Sequence, residues 1–123
     1  MFGGFTYLRG HGIILNDTWT FSAGNWTHVT TRVSPIGTES FGLAYDPVVS
    51  RVVLFGGEVG ISKAPFSNQT WFYSKGVWTS VNLTYAPIVR SAPAMCFDAL
   101  DGYILLFGGD SYTGELSDTW YLT

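Results

Sequence analysis

Asp46-Pro47-Val48-Val49-Ser50-Arg51-Val52-Val53-Leu54-Phe55-Gly56-Gly57 aligns without a gap on Asp98-Ala99-Leu100-Asp101-Gly102-Tyr103-Ile104-Leu105-Leu106-Phe107-Gly108-Gly109, 52 residues later. The end of the same stretch, Phe2-Gly3-Gly4, opens the chain 53 residues before Phe55. An offset of 52 also relates Trp19 to Trp71, Trp26 to Trp78, Asn16 to Asn68 and Pro35 to Pro87, while Trp120 follows Trp71 by 49. A fixed period of this size marks a repeat architecture, in which each copy is one supersecondary unit that cannot bury its apolar face alone.

Each copy divides into four short strand candidates. The first is residues 39–45, matched by 91–97; the second is 51–56, matched by 103–108. The third is 70–73, matched by 18–21 and 119–122; the fourth is 77–81, matched by 25–29. All are rich in β-branched and aromatic residues and bounded by Gly, Asp, Asn or Pro. The connections 46–50, 98–102, 22–24 and 74–76 are short, and Asp46 and Asp98 are placed to cap their turns through the side chain. Strands joined this way form an antiparallel meander. No stretch holds helical periodicity over three turns.

The second strands decide how the meanders stack. Val52-Val53-Leu54-Phe55 and Ile104-Leu105-Leu106-Phe107 do not alternate, so both faces of each need cover. Sheets stacked face to face around an axis supply it, and Gly42, Ala44, Ala92 and Ala94 suit first strands crowded near that axis. The expectation is an all-β chain, a β-propeller fragment of four-stranded antiparallel blades, open and incomplete. Residues 1–35 hold the end of a second strand with a third and fourth, 36–87 a complete blade, and 88–123 a blade lacking its fourth strand. Such a ring closes with about four to eight blades, so further blades of the same array are needed.

The order of a double glycine, then Asn/Asp-x-x-Trp/Tyr, then a second Trp, resembles the kelch repeat. The elements are Gly3-Gly4, Asn16, Trp19 and Trp26; Gly56-Gly57, Asn68, Trp71 and Trp78; and Gly108-Gly109, Ser117-Asp118 and Trp120. The resemblance covers essentially the whole chain and implies a propeller of such blades. It also implies an Arg before each first strand; Arg90 fits, and Thr38 in the preceding copy departs from it.

Composition narrows the classes. The chain has 123 residues, 46% hydrophobic, 17% aromatic and 12% charged, with a net charge of −3. That suits a folded domain and lacks the basic stripe of a nucleic-acid binder, so no nucleic-acid partner is expected. No apolar run reaches the length of a membrane span, so none is expected. The first residues form no signal peptide and begin inside a repeat, which reads as an incomplete chain. A single cysteine, Cys96, excludes an internal disulfide and reads as a buried inert thiol. Asn16, Asn25, Asn68 and Asn82 each head an Asn-x-Ser/Thr sequence, and with low Lys they favour an extracellular or cell-surface location over the cytoplasm. Asn16 and Asn68 also read as turn residues.

The glycine pairs are structural, since no helix follows them to make a phosphate loop. The recurring tryptophans read as packing residues. His11 and His28 fall at unrelated repeat positions, and no catalytic, cofactor or metal constellation has workable spacing. Function is expected where the copies disagree, in the long connections at one end: 5–12, 30–38, 58–67, 83–90 and 110–115. Candidate ligand-face residues there are Tyr7, Arg9, His11, Arg32, Glu58, Lys63, Phe66, Tyr85, Arg90, Asp110, Tyr112 and Glu115. Aromatic and charged groups of this kind suit a protein or glycan ligand. The reading is a non-catalytic binding or interaction module; the alternative is a piece of a propeller enzyme, an oxidase or a glycan-processing hydrolase, with its catalytic residues elsewhere.

Overall fold

The computed structural model describes residues 1–60 and 66–123. The described residues are all-β, without a helix, in three antiparallel sheets. Sheet one joins β1 (Phe2–Leu8), β2 (His11–Ser22) and β3 (Asn25–Val29). Sheet two joins β4 (Gly42–Asp46), β5 (Arg51–Phe55), β6 (Thr70–Ser74) and β7 (Val77–Val81). Sheet three joins β8 (Ala94–Asp98), β9 (Tyr103–Ser111) and β10 (Gly114–Leu122). Within each sheet every strand pairs with its sequence neighbour, antiparallel throughout.

Turn chemistry sets the register. Arg9-Gly10, Ala23-Gly24 and Lys75-Gly76 have positive φ at both residues, the two-residue geometry that matches the twist of a hairpin. The Asp46 carboxylate accepts from the Val48 and Val49 amides at 3.0 and 3.4 Å; that of Asp98 accepts from Leu100 and Asp101 at 2.9 and 3.2 Å.

Three readings of the backbone are corrected. The first strands begin at Gly42 and Ala94, not at 39 and 91, because Ser40 and Ala92 adopt φ of 51° and 49° and break the extended backbone. Residues 5–12 and 110–115 are not loops but the ends of β1–β2 and β9–β10, which project as hairpin arms. Asn16 lies in a strand rather than a turn: the register shifts between Phe2 and Gly4, leaving Asn16 and Asp17 as a bulge, and Ser117 and Asp118 are the matching bulge of sheet three.

Sheet two is covered on both faces. Leu54 packs with Phe2, Trp71 and Trp78 toward sheet one, while its neighbour Val53 packs with Ala44 and Ile104 toward sheet three. Val53, Leu54 and Phe55 are all buried, which is why this strand does not alternate. The outer faces of sheets one and three have no such cover among the described residues. Trp26 and Phe107 are therefore exposed where Trp78 and Phe55 are buried. Cys96 corrects the reading of a buried thiol for the same reason: it is exposed, whereas Ala44 at the equivalent position meets sheet three.

The glycine pairs fasten each sheet to the next. Gly4 N donates to Thr38 O at 2.9 Å, and Gly57 N to Arg90 O at 2.9 Å. Residues 38 and 90 lead into sheets two and three, so these bonds cross between sheets. Gly57 has φ of 93°, and a Cβ there would stand 2.6 Å from both Glu39 O and Thr38 Cγ2. Gly76 has φ of 83° with open space around it. Gly57→Ala is expected to destabilise the chain by about 3 kcal/mol in urea unfolding, and Gly76→Ala by about 1 kcal/mol; equal losses would remove the close-approach argument.

Candidate functional site

The meander topology carries the β1–β2 arm, the 56–69 connection, the β9–β10 arm and the connections leading into β4 and β8 to one end of the molecule. Tyr7, Arg9 and His11 sit at the exposed tip of the first arm, with the Phe5 and Tyr7 rings edge to face at 4.9 Å. Asp110, Tyr112 and Glu115 lie on the last arm. Between them Glu58 bridges Glu39 and Phe66.

The structure brings together two of the expected residues across sheets. Phe66 and Tyr112 stack with centroids 4.8 Å apart and planes at 12°, and the Phe66 amide donates to the Tyr112 hydroxyl at 2.9 Å. Tyr85 is exposed on the connection into β8, and Arg32 is exposed on the one into β4. Lys63 lies outside the described residues. The acidic side chains Glu58, Asp110 and Glu115 belong to sheets two and three, whereas Arg9 and His11 belong to the arm of sheet one.

Arg90 is not a ligand-face residue, which corrects the sequence reading. It is 0% exposed, and its guanidinium is spent on the protein itself. Nη1 and Nη2 donate to the two Asp118 carboxylate oxygens at 2.6 and 2.8 Å, Nη1 also to Gly108 O at 2.9 Å, and Nε to Ile88 O at 3.2 Å. Hydrogen bonds from Arg90, aided by the Trp120 indole at 2.6 Å, hold the Asp118 carboxyl well below the ordinary carboxylate range. Thr38 at the equivalent position keeps only the local part of this pattern, donating from Oγ1 to Ile36 O at 2.5 Å.

Sequence reasoning missed a polar cleft that occurs twice. Asn16, Asp17, Thr18 and His28 line a space of about 230 Å³ with the chain that leaves β3; Asn68, Gln69, Thr70 and Ser80 line one of about 190 Å³ with the chain that leaves β7. The 52-residue offset that relates the tryptophans also relates these residues, so the signal was in the sequence. Each cleft has an indole clasped at its rim: Trp19 Nε1 donates to Asp17 at 2.5 Å and Trp71 Nε1 to Gln69 at 3.1 Å. A further cleft of about 210 Å³ lies between Gly12 and Ile14 of the first arm and Ile36, Gly37, Val59 and Gly60. All four sequon asparagines are exposed.

Among the described residues no three His, Cys, Asp or Glu side chains gather as metal ligands, and no helix is long and apolar enough to cross a membrane. Comparison with protein-family models and with curated proteins finds no match to this chain.

Because the Asp118 carboxyl is depressed in the folded chain, it contributes stability above its ordinary value of 3.8 and loses it as pH falls below that. Unfolding of the parent chain is expected to become easier between about pH 4 and pH 2, more steeply than for Asp118→Asn. Arg90→Lys is expected to lose about 2 kcal/mol at neutral pH, since an ammonium cannot replace the bidentate fork. Parallel acid unfolding curves for parent and Asp118→Asn would overturn this assignment.

Proposed function

We propose that the chain is a segment of a kelch-like β-propeller that works as a non-catalytic binding module, with its ligand face at the end of the hairpin arms. The observation that carries this reading is the contrast between the two ends. At one end the Asp caps recur in sheets two and three and the two-residue turns in sheets one and two; at the other the sheets differ in arm length, charge and aromatic content. A rigid repeated scaffold with one variable rim is how binding surfaces are commonly arranged.

Sheet two, with four strands in meander order and both faces packed, supports the blade reading, and the glycine bonds from sheet to sheet support radial stacking. The exposed Tyr7 and Tyr85, the Phe66–Tyr112 stack and the separated basic and acidic arms suit an extended peptide or a glycan chain laid across the rim. The exposed sequon asparagines favour a secreted or surface setting.

Peptide-display and glycan-array screening of the chain tests the face. Ligands recovered in this way are expected to lose about tenfold in affinity with Tyr7→Ala or Tyr112→Ala. Val48→Ser and Leu100→Ser, at exposed turns of the opposite end, are expected to leave binding unchanged. Ligands sensitive to the second pair and indifferent to the first would place the face at the other end and overturn the proposal.

A further inference from the structure

The outer face of sheet one repeats, uncovered, the ring pair against which sheet two packs Phe2. In sheet two the Tyr73 and Trp78 rings stand 5.0 Å apart at 49°, and Phe2 meets Trp78 edge-on at 5.1 Å. The Trp78 indole donates to Thr18 Oγ1 at 2.9 Å. Phe2 and Thr18 are register partners across β1 and β2, so one ridge of sheet one supplies both ring and acceptor. The equivalent rings of sheet one, Phe21 and Trp26, stand 5.0 Å apart at 52°, the same geometry left uncovered. Trp26 is 54% exposed, against 4% for Trp78.

The matching ridge is present at the other end of the chain. Phe107 and Thr119 are register partners across β9 and β10 and hold the repeat positions of Phe2 and Thr18. Phe107 is 51% exposed, against 4% for Phe2 and 3% for Phe55. Ala94 pairs with Phe107 and Cys96 with Leu105, so Cys96 shares this open face.

We propose that a second copy of this chain covers these faces head to tail, with Phe107 of one copy packing edge-on against Trp26 of the next and the Trp26 indole donating to Thr119 Oγ1. The strands that make the contact between sheets one and two nearly all have counterparts at the free faces. On the ridge side β9 and β10 stand for β1 and β2; on the socket side β1, β2 and β3 stand for β5, β6 and β7. On the socket side β4 and its lead-in, which brings Phe41 against Phe2, have no counterpart in sheet one, and on the ridge side β3 has none in sheet three. The two surfaces differ, so the contact is heterologous and ends only by closing a ring. Two copies bring together six sheets, within the range of about four to eight over which such sheets close. The contact uses sheet faces and not the arm end, so it stands or falls independently of the ligand face.

Sedimentation of the 123-residue chain over a concentration series tests it, with the alkylation rate of Cys96 read on the same samples. Mass is expected to rise with concentration while Cys96 becomes protected. Phe107→Glu and Trp26→Glu are each expected to weaken self-association about a hundredfold. Mixed together they are expected to assemble one to one, because one retains the socket and the other the ridge. A chain that stays monomeric, leaving the faces to further repeats of a longer polypeptide, overturns the proposal. Association that survives either substitution, or folded variants that fail to assemble on mixing, overturns it too. Should a variant not fold, Cys96 in the unaltered chain decides, and alkylation independent of concentration counts against the contact.

Discussion

Burial of β5 on both of its faces is the constraint on which the rest of the structure depends. Val53 and Leu54 are neighbours in sequence and face opposite ways, one into the contact with sheet three and the other into the contact with sheet one. Each apolar side chain so buried contributes about 2 kcal/mol, and a sheet standing alone would forfeit one set or the other. The sheets therefore stabilise one another rather than themselves. That is the physical content of a repeat: the unit of sequence is one sheet, but the unit of stability is the contact between two.

The glycine pairs make the contact close enough to matter. A backbone amide of one sheet reaches the carbonyl of residue 38 or 90 as the chain enters the next, and each bond is 2.9 Å long. A Cβ on Gly3 would crowd Thr38 O, and one on Gly56 would stand 2.7 Å from Arg90 O, so the residue before each donor must also be glycine. The two lead-in residues then solve a local problem in different ways. Arg90 is buried with a carboxylate partner in Asp118, whereas Thr38 is buried with a hydroxyl, in a sheet where Gln69 holds the place of Asp118. Cation and anion are present together in sheet three and absent together in sheet two. That balance follows from the cost of burying a guanidinium without a countercharge.

Much of this was legible in the residues, and the failures have physical causes. The second, third and fourth strands are readable because their β-branched and aromatic runs recur at the repeat offset and the second ends at a glycine pair in every copy. The start of the first strand is not, because left-handed φ at Ser40 and Ala92 is imposed by the lead-in and not by either residue type. The arms were read as loops although Arg9-Gly10 between Phe5-Thr6-Tyr7-Leu8 and Gly12-Ile13-Ile14-Leu15 is a two-residue hairpin signal; variation between copies was mistaken for irregular backbone. Cys96 is misread for another reason: like Trp26 and Phe107, it is exposed on a sheet face without cover among the described residues. Their exposure depends on what covers the sheet, and local sequence carries no record of that. Arg90 was assigned to the rim because its position follows a variable connection, while its length lets the guanidinium reach back under that connection to Asp118.

The extension of the arms as β-structure changes what the variable end can do. Residues on paired strands are held by main-chain hydrogen bonds, so Tyr7, Asp110 and Glu115 keep their spacing without a ligand. The Phe66–Tyr112 stack adds a tie between sheets two and three at the same level. A surface ordered in advance loses less conformational entropy on binding, which favours selectivity from a modest contact area. The sheets and the rim are thus coupled in one direction. Contacts between sheets fix where the arms stand, while the arms, being hairpins, vary in length and charge without disturbing the glycine bonds beneath them.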